Sequence, residues 1–75
     1  MAIASVVLAT EVGAVDAVLA KLSQMPDTEV HGSKDNQIVT VIEAGSLAAL
    51  TEGIQRLASV EQVIGVYPVY AGQDE

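Results

Sequence analysis

The stretch that decides the fold is residues 38–60, IVTVIEAGSLAALTEGIQRLASV, where a β-branched run leads directly into a helical pattern. Residues 3–25, IASVVLATEVGAVDAVLAKLSQM, show the same pattern 35 positions earlier. In the second part of each copy, apolar residues recur with a spacing that keeps one helix face apolar. These residues are Val12, Val15, Leu19, Leu22 and Met25, and Leu47, Leu50, Ile54, Leu57 and Val60. The repeat predicts two strand–helix units.

Two further strands complete the pattern. Residues 28–32 form a short polar-alternating run, and residues 63–70 are rich in β-branched and aromatic side chains. Residues 33–37 form a polar turn between strands. Thr10 and Ser46 precede the helical patterns as N-cap residues, and Pro26 ends the first helix. The predicted element order is βαββαβ.

This order predicts an α+β protein of ferredoxin-like topology, because right-handed crossovers place both helices on one side of the sheet. We expect a four-stranded antiparallel sheet with strand order 4-1-3-2, two helices on one face and the other face uncovered. At 75 residues, the chain is expected to form a single domain spanning residues 1–75.

Alternation along the strands assigns side chains to the two faces. Carrying the repeat into the strands predicts that Ala4, Val6, Leu8, Val39 and Val41 face the helices. In the last strand we expect Ile64, Val66 and Pro68 to face inward. The uncovered face would then carry Ile3, Ser5, Val7, Ile38, Thr40, Ile42, Gly65, Tyr67 and Val69. Such an apolar set predicts a contact surface, since a solvent-exposed sheet face normally alternates to polar residues.

Two kinds of occupant fit this face on sequence grounds. One is a second copy of the chain, giving a weak homodimer through the sheet faces. The other is an amphipathic helix or an extended peptide of a partner. The net charge of -7, with ten carboxylates and three Lys or Arg residues, argues against nucleic acid and membrane surfaces as partners. An acidic rim would instead favour a cationic, apolar ligand.

The sequence offers little chemistry for catalysis, and we expect no enzymatic activity, cofactor or metal. There is no cysteine, and His31 is the only histidine. The glycines form neither a dinucleotide-binding nor a phosphate-binding motif. The first ten residues carry no Lys or Arg, and no apolar run reaches the roughly 18 residues of a membrane span. We therefore expect a cytoplasmic location.

The chain resembles the NapD family, cytoplasmic maturation chaperones of periplasmic nitrate reductase, over almost its whole length. The resemblance rests on residues 4–7 (ASVV), 25–30 (MPDTEV), 37–44 (QIVTVIEA), 59–63 (SVEQV) and 69–70 (VY). One position departs from the family pattern, because Gln62 stands where the family usually has glycine.

The resemblance implies a protein that binds the twin-arginine signal peptide of the nitrate reductase catalytic subunit, prevents premature export and assists cofactor-dependent maturation. For the peptide site we predict Glu43 together with the outward apolar set, Ile3, Val7, Ile38, Thr40, Ile42, Tyr67 and Val69. Glu43, Asp35, Glu29 and Asp27 are the candidate partners of the arginines, because arginine can pair with a carboxylate through two hydrogen bonds.

An alternative hypothesis from the topology is a small-ligand-sensing regulatory domain that acts as a dimer. A metal or enzyme role would depend on His31. If Ile42 lies on the uncovered face as predicted, Ile42→Asp should weaken peptide binding while the protein stays folded.

Overall fold

The computed structural model describes residues 1–73 and has the predicted element order. Its four strands form one antiparallel sheet in the order β2-β3-β1-β4, which is the order 4-1-3-2 read from the other edge. The ferredoxin-like α+β fold is thereby confirmed. The elements are β1 (Ala2–Thr10), α1 (Val15–Leu22), β2 (Thr28–Lys34), β3 (Gln37–Ala44), α2 (Leu47–Ala58) and β4 (Val63–Gln73).

The core lies between one sheet face and the two helices. Apolar side chains from alternate positions of β1 and β3 pack there against one stripe of each helix. The buried members are Ala2, Ala4, Val6, Leu8, Val18, Leu22, Ile38, Ile42, Leu50 and Leu57. Both helices therefore cover the same side of the sheet, as predicted.

The two helices begin differently. Ser46 caps α2 as predicted, because its hydroxyl oxygen accepts a hydrogen bond from the Ala49 amide at 3.1 Å. The prediction that Thr10 caps α1 is wrong, since Thr10 is the last residue of β1 and Ala14 occupies the N-cap position. The Thr10 hydroxyl is buried and donates to the carbonyl oxygens of Glu11 and Asn36.

The predicted faces of β3 are wrong. Ile38, Thr40 and Ile42 are 0, 0 and 3% exposed and lie in the core, whereas Val39 is 40% exposed on the opposite face. Register explains this, because Ile38, Thr40 and Ile42 pair with the buried residues Leu8, Val6 and Ala4. Directly paired residues share a face of the sheet. The surface of β3 that a partner can reach is therefore the one carrying Val39 and Val41.

The error arises from the length of the repeat. Val15 and Leu47, the first residues of α1 and α2, are 32 positions apart, not 35. An odd shift reverses the two faces of a strand, whereas an even shift preserves them. The buried positions of β1 accordingly map onto those of β3 at 32 residues: Val6, Leu8 and Thr10 onto Ile38, Thr40 and Ile42.

The predicted faces of β4 are partly right. Val66 packs against the core, and Pro68 pairs with the buried Val6. Ile64 does not face inward, because a register shift between Ala9 and Thr10 leaves it unpaired and 67% exposed. Val63 takes the inward position instead. A register shift of this kind inserts one residue and changes the alternation beyond it.

One buried hydroxyl yields a stability prediction. Within residues 1–73, the Thr40 hydroxyl is fully buried and has no hydrogen-bond partner. Burying an unpaired hydroxyl costs about 1–3 kcal/mol in proteins. Thr40→Val replaces that hydroxyl with a methyl group of similar shape, so we expect the free energy of unfolding to rise by about 1–2 kcal/mol. Urea denaturation followed by circular dichroism measures the change.

Thr10→Val is the matched control for this prediction. Thr10 is also buried, but its hydroxyl donates to two carbonyl oxygens, so the same substitution there should lower the free energy of unfolding. Equal effects of the two substitutions would show that the Thr40 hydroxyl has a partner in solution.

The turn into β4 explains the departure at Gln62. Gln62 has a φ of 75°, in the left-handed region that favours glycine. Its carbonyl oxygen accepts a hydrogen bond from the Glu11 amide at 3.0 Å, which fixes this turn against the end of β1. The turn therefore requires a left-handed backbone at this position. The glycine of the family pattern adopts it freely, whereas Gln62 adopts it with some strain.

Gln62→Gly should raise the free energy of unfolding by up to about 1 kcal/mol, since relief of left-handed strain exceeds the added chain entropy of glycine. Gln55→Gly, in the exposed middle of α2, should lower it by about 1 kcal/mol. Thermal unfolding of both variants tests the pair. If Gln62→Gly instead lowered the free energy of unfolding, the contacts of the glutamine side chain would stabilise the fold by more than its left-handed backbone destabilises it.

Candidate functional site

The sheet face opposite the helices is uncovered, and we call it the open face. Its side chains come from alternate positions of all four strands, arranged in rows across the sheet. The two central rows are Glu29–Val41–Ser5–Tyr70 and Gly32–Val39–Val7–Tyr67. Ile3, Glu43 and Gly72 form the row at one end, and Lys34, Gln37, Ala9 and Gly65 form the row at the other.

Two tyrosines dominate the β4 side of the open face. Tyr67 lies over Gly65 and Tyr70 lies over Gly72, each ring so close that a side chain at the glycine would meet it. Both rings are more than half exposed. Because glycine has no side chain, each ring can lie flat against the strand. The rings present a large apolar area with a polar hydroxyl at the tip.

Among residues 1–73, three carboxylates lie together at one end of the open face, and we call Asp27, Glu29 and Glu43 the acidic corner. Together with Ile3, Val41 and neighbouring residues they line a shallow depression of about 420 Å³. The turn before β2 is held against β3, because the Glu43 amide donates to the Asp27 carbonyl oxygen at 3.0 Å. The apolar floor of the depression therefore lies directly beside concentrated negative charge.

The carboxylates of the acidic corner differ in their partners. Glu29 Oε1 lies 2.7 Å from His31 Nε2, on the same edge strand. In the part of the chain that the structure describes, Asp27 and Glu43 form no side-chain hydrogen bond or ion pair. These two carboxylates are therefore available to a cationic ligand without breaking an existing contact.

Half of the predicted site residues lie on the open face. Ile3, Val7, Glu43 and Tyr67 are brought together there as predicted. Val69 is exposed but lies at a register shift of β4, at the sheet edge. Ile38, Thr40 and Ile42 lie beneath the sheet in the core. Of the candidate arginine partners, Asp35 lies in the β2–β3 turn, at the opposite end of the face from the acidic corner.

Sequence reasoning missed Val39, Val41 and Tyr70. The signal for the two valines was Glu43, because a carboxylate avoids the core and residues 39, 41 and 43 share one face of a strand. No sequence signal places Tyr70 on the open face. A register shift between Ser5 and Val6 pairs Tyr70 with Ser5, although simple alternation from Tyr67 would turn it away.

Residues 1–73 contain no cluster of three or more His, Asp or Glu side chains that could hold a metal ion. His31 is paired with Glu29 and has no second potential ligand of its own kind, since it is the only histidine. In the same part of the chain, neither helix is long and apolar enough to cross a membrane.

The fold and the open face define a small binding domain, with an apolar sheet surface, two exposed tyrosines and carboxylates at one end. A protein-family model described as NapD protein matches residues 1–75, the whole chain. The chain belongs to the NapD family, the chaperone family of nitrate reductase. A search of curated proteins finds no match.

Family membership establishes the general role. It supports a function in nitrate reductase maturation and implies binding of the catalytic subunit or its precursor. It also places the chain in a family of chaperones and not of enzymes.

Proposed function

We propose that this protein binds the twin-arginine signal peptide of the nitrate reductase precursor on its open face. Binding in the cytoplasm would hold the precursor back from export while its cofactor is inserted. The observation that carries the proposal is the apolar centre of the open face beside Asp27 and Glu43, whose carboxylates have no ion pair among the described residues. A signal peptide with arginines followed by an apolar stretch has the complementary chemistry.

The apolar part of the peptide would be bound by Val7, Val39 and Tyr67 in the middle of the open face. Val7 pairs with both of the others across the sheet, so the three side chains form a continuous strip. Covering such side chains contributes about 25 cal/mol for each Å² of apolar surface removed from water. This strip supplies affinity, and the acidic corner supplies selectivity for arginine.

Glu43 is the carboxylate best placed for an arginine. It is exposed, it pairs across the sheet with Ile3, and it has no ion pair within the described residues. Glu29 would first have to release His31. A guanidinium can contact a carboxylate through two parallel hydrogen bonds, which an ammonium group cannot reproduce.

Titration calorimetry with a synthetic twin-arginine leader peptide of the catalytic subunit tests the proposal. We expect replacement of both arginines by glutamine to weaken binding by about tenfold or more at low salt, and high salt to reduce the difference. Glu43→Gln should weaken binding of the arginine peptide and have little further effect on the glutamine peptide.

Glu52→Gln is the matched control, because Glu52 is exposed on α2, on the opposite side of the sheet from the open face. It removes the same charge, so long-range attraction falls equally in the two variants. Absence of binding, or binding that is indifferent to both arginines, would rule out the proposal. A concentration-dependent homodimer that excludes the peptide, detected by sedimentation, would instead assign the open face to self-association.

A further inference from the structure

The two ends of the open face differ in chemistry. The acidic corner occupies the end where Ile3 and Glu43 pair, and Tyr70 leans toward this end over Gly72. Among the described residues, the charged side chains that line the depression at this end are Asp27, Glu29 and Glu43, with His31 against Glu29.

The opposite end combines mixed charge with exposed apolar side chains. A depression there is bounded by the loop after β1, the β2–β3 turn and the start of β4. Lys34 lies on this row of the face, and Glu11 and Asp35 lie at its rim. Val12 and Ile64 also line the depression and are 88% and 67% exposed. We call Val12 and Ile64 the apolar end.

The apolar end continues the open face beyond its last row. Ala9 and Gly65, which pair on the last row of the face, lead from Val7 and Tyr67 to Ile64. From Ile3 to Ala9 the face is about 20 Å long, at about 3.3 Å per strand residue. A ligand whose charge and hydrophobicity are separated along its length can therefore match both ends simultaneously.

We propose that the bound peptide lies along the strands in one direction, with its arginines on the acidic corner and its apolar carboxyl-terminal part on Val12 and Ile64. This inference rests on the proposed function and adds the direction of the ligand and a contact surface beyond the last row of the open face. The reverse direction would place the arginines where Lys34 offsets one of the two carboxylates, Glu11 and Asp35, and would leave the three carboxylates of the acidic corner against apolar side chains.

Tyr70 offers a second contact for the arginines at the acidic corner. Tyr70 pairs with Ser5, and its ring extends over Gly72 toward the row of Ile3 and Glu43. The face of an aromatic ring attracts a guanidinium. One arginine can pair with Glu43 while its neighbour stacks on Tyr70, on either side of Ile3. Tyr67 lies over Gly65 on the last row of the opposite end in the same way, so the direction is set by the charged groups and by Val12 and Ile64, and not by the tyrosines.

Paramagnetic relaxation in NMR spectra tests the direction. The peptide is given a single cysteine with a nitroxide label either before its arginines or after its apolar stretch; the protein itself has no cysteine. We expect the amino-terminal label to broaden the amide signals of Ile3, Glu29 and Glu43 most strongly. The carboxyl-terminal label should most strongly broaden those of Val12, Gln37 and Ile64.

Affinity provides the second measurement. Ile64→Ser should weaken binding of the full peptide by about tenfold and leave unchanged the binding of a peptide lacking its last apolar turn. Leu47→Ser, on the helix layer, is the matched control and should change neither.

The outcomes separate the two proposals. Opposite broadening patterns, or equal broadening at both ends from both labels, would overturn the direction while leaving peptide binding intact. Equal loss of affinity for full and shortened peptides in Ile64→Ser would overturn the contact with the apolar end. Absence of any spectral change on adding the peptide would overturn the proposed function and this inference with it.

Discussion

Ile42→Asp is expected to unfold the protein. Ile42 is 3% exposed. Its side chain extends from β3 toward α2 and packs against Gly53, where a side chain would collide with it. The substitution removes a large apolar side chain, which alone costs about 2–5 kcal/mol, and adds a carboxyl group with no partner in the core. Together these costs approach the whole stability of a typical domain, about 5–15 kcal/mol. Circular dichroism should show loss of native structure at room temperature.

Val39→Asp is the matched control for this prediction. Val39 lies on the same strand, three residues earlier, but on the open face, so its carboxylate can remain in water. We expect this variant to stay folded and to bind the leader peptide weakly. A folded Ile42→Asp together with an unfolded Val39→Asp would restore the faces of β3 predicted from the 35-residue repeat.

Tyr67→Asp is expected to produce the largest loss of peptide binding among variants that remain folded. Tyr67 is 59% exposed and lies next to Val7 on a central row of the open face, with its ring over Gly65. Aromatic side chains at the centre of an interface frequently contribute 2 kcal/mol or more, so we expect the affinity to fall by about thirtyfold. Calorimetry with the leader peptide measures the loss.

Leu47→Asp distinguishes this local effect from a change of charge. Leu47 is 50% exposed at the start of α2, where the helix dipole tolerates an added carboxylate. Both variants become more negative by one charge, so attraction of a cationic peptide at long range is matched. If Leu47→Asp weakened binding as much as Tyr67→Asp, the open face would not be the peptide site.

The fold could be predicted from local pattern, because each element carries its own signal. The Ser46 cap, the helical spacing of Leu50 and Leu57, and the β-branched runs each depend on residues close in sequence. The faces of β3 could not be read in the same way. Residues 38–42 are apolar on both sides of the strand, except for Thr40, so alternation alone does not select a face.

The residues of the candidate site likewise separate into those that local pattern predicts and those that it does not. Ile3, Val7, Glu43 and Tyr67 could be predicted, because the order of the strands and their alternation place them together. Tyr70 could not, since an inserted residue in β4 changes its side of the sheet. Glu29 is paired with His31, whereas Glu43 has no ion pair within residues 1–73, and only the side-chain positions reveal this difference.

The sequence by itself determined the βαββαβ order, the topology of the sheet and a negatively charged surface with an apolar face. These depend on local periodicity, on the handedness of crossovers and on composition. Only the tertiary structure decided which face of β3 is buried. It also decided where on the surface the acidic and the exposed apolar side chains lie together. These positions depend on strand register and on bulges. Register and bulges are set by the packing of the strands against each other and against the helices, and no single segment determines them.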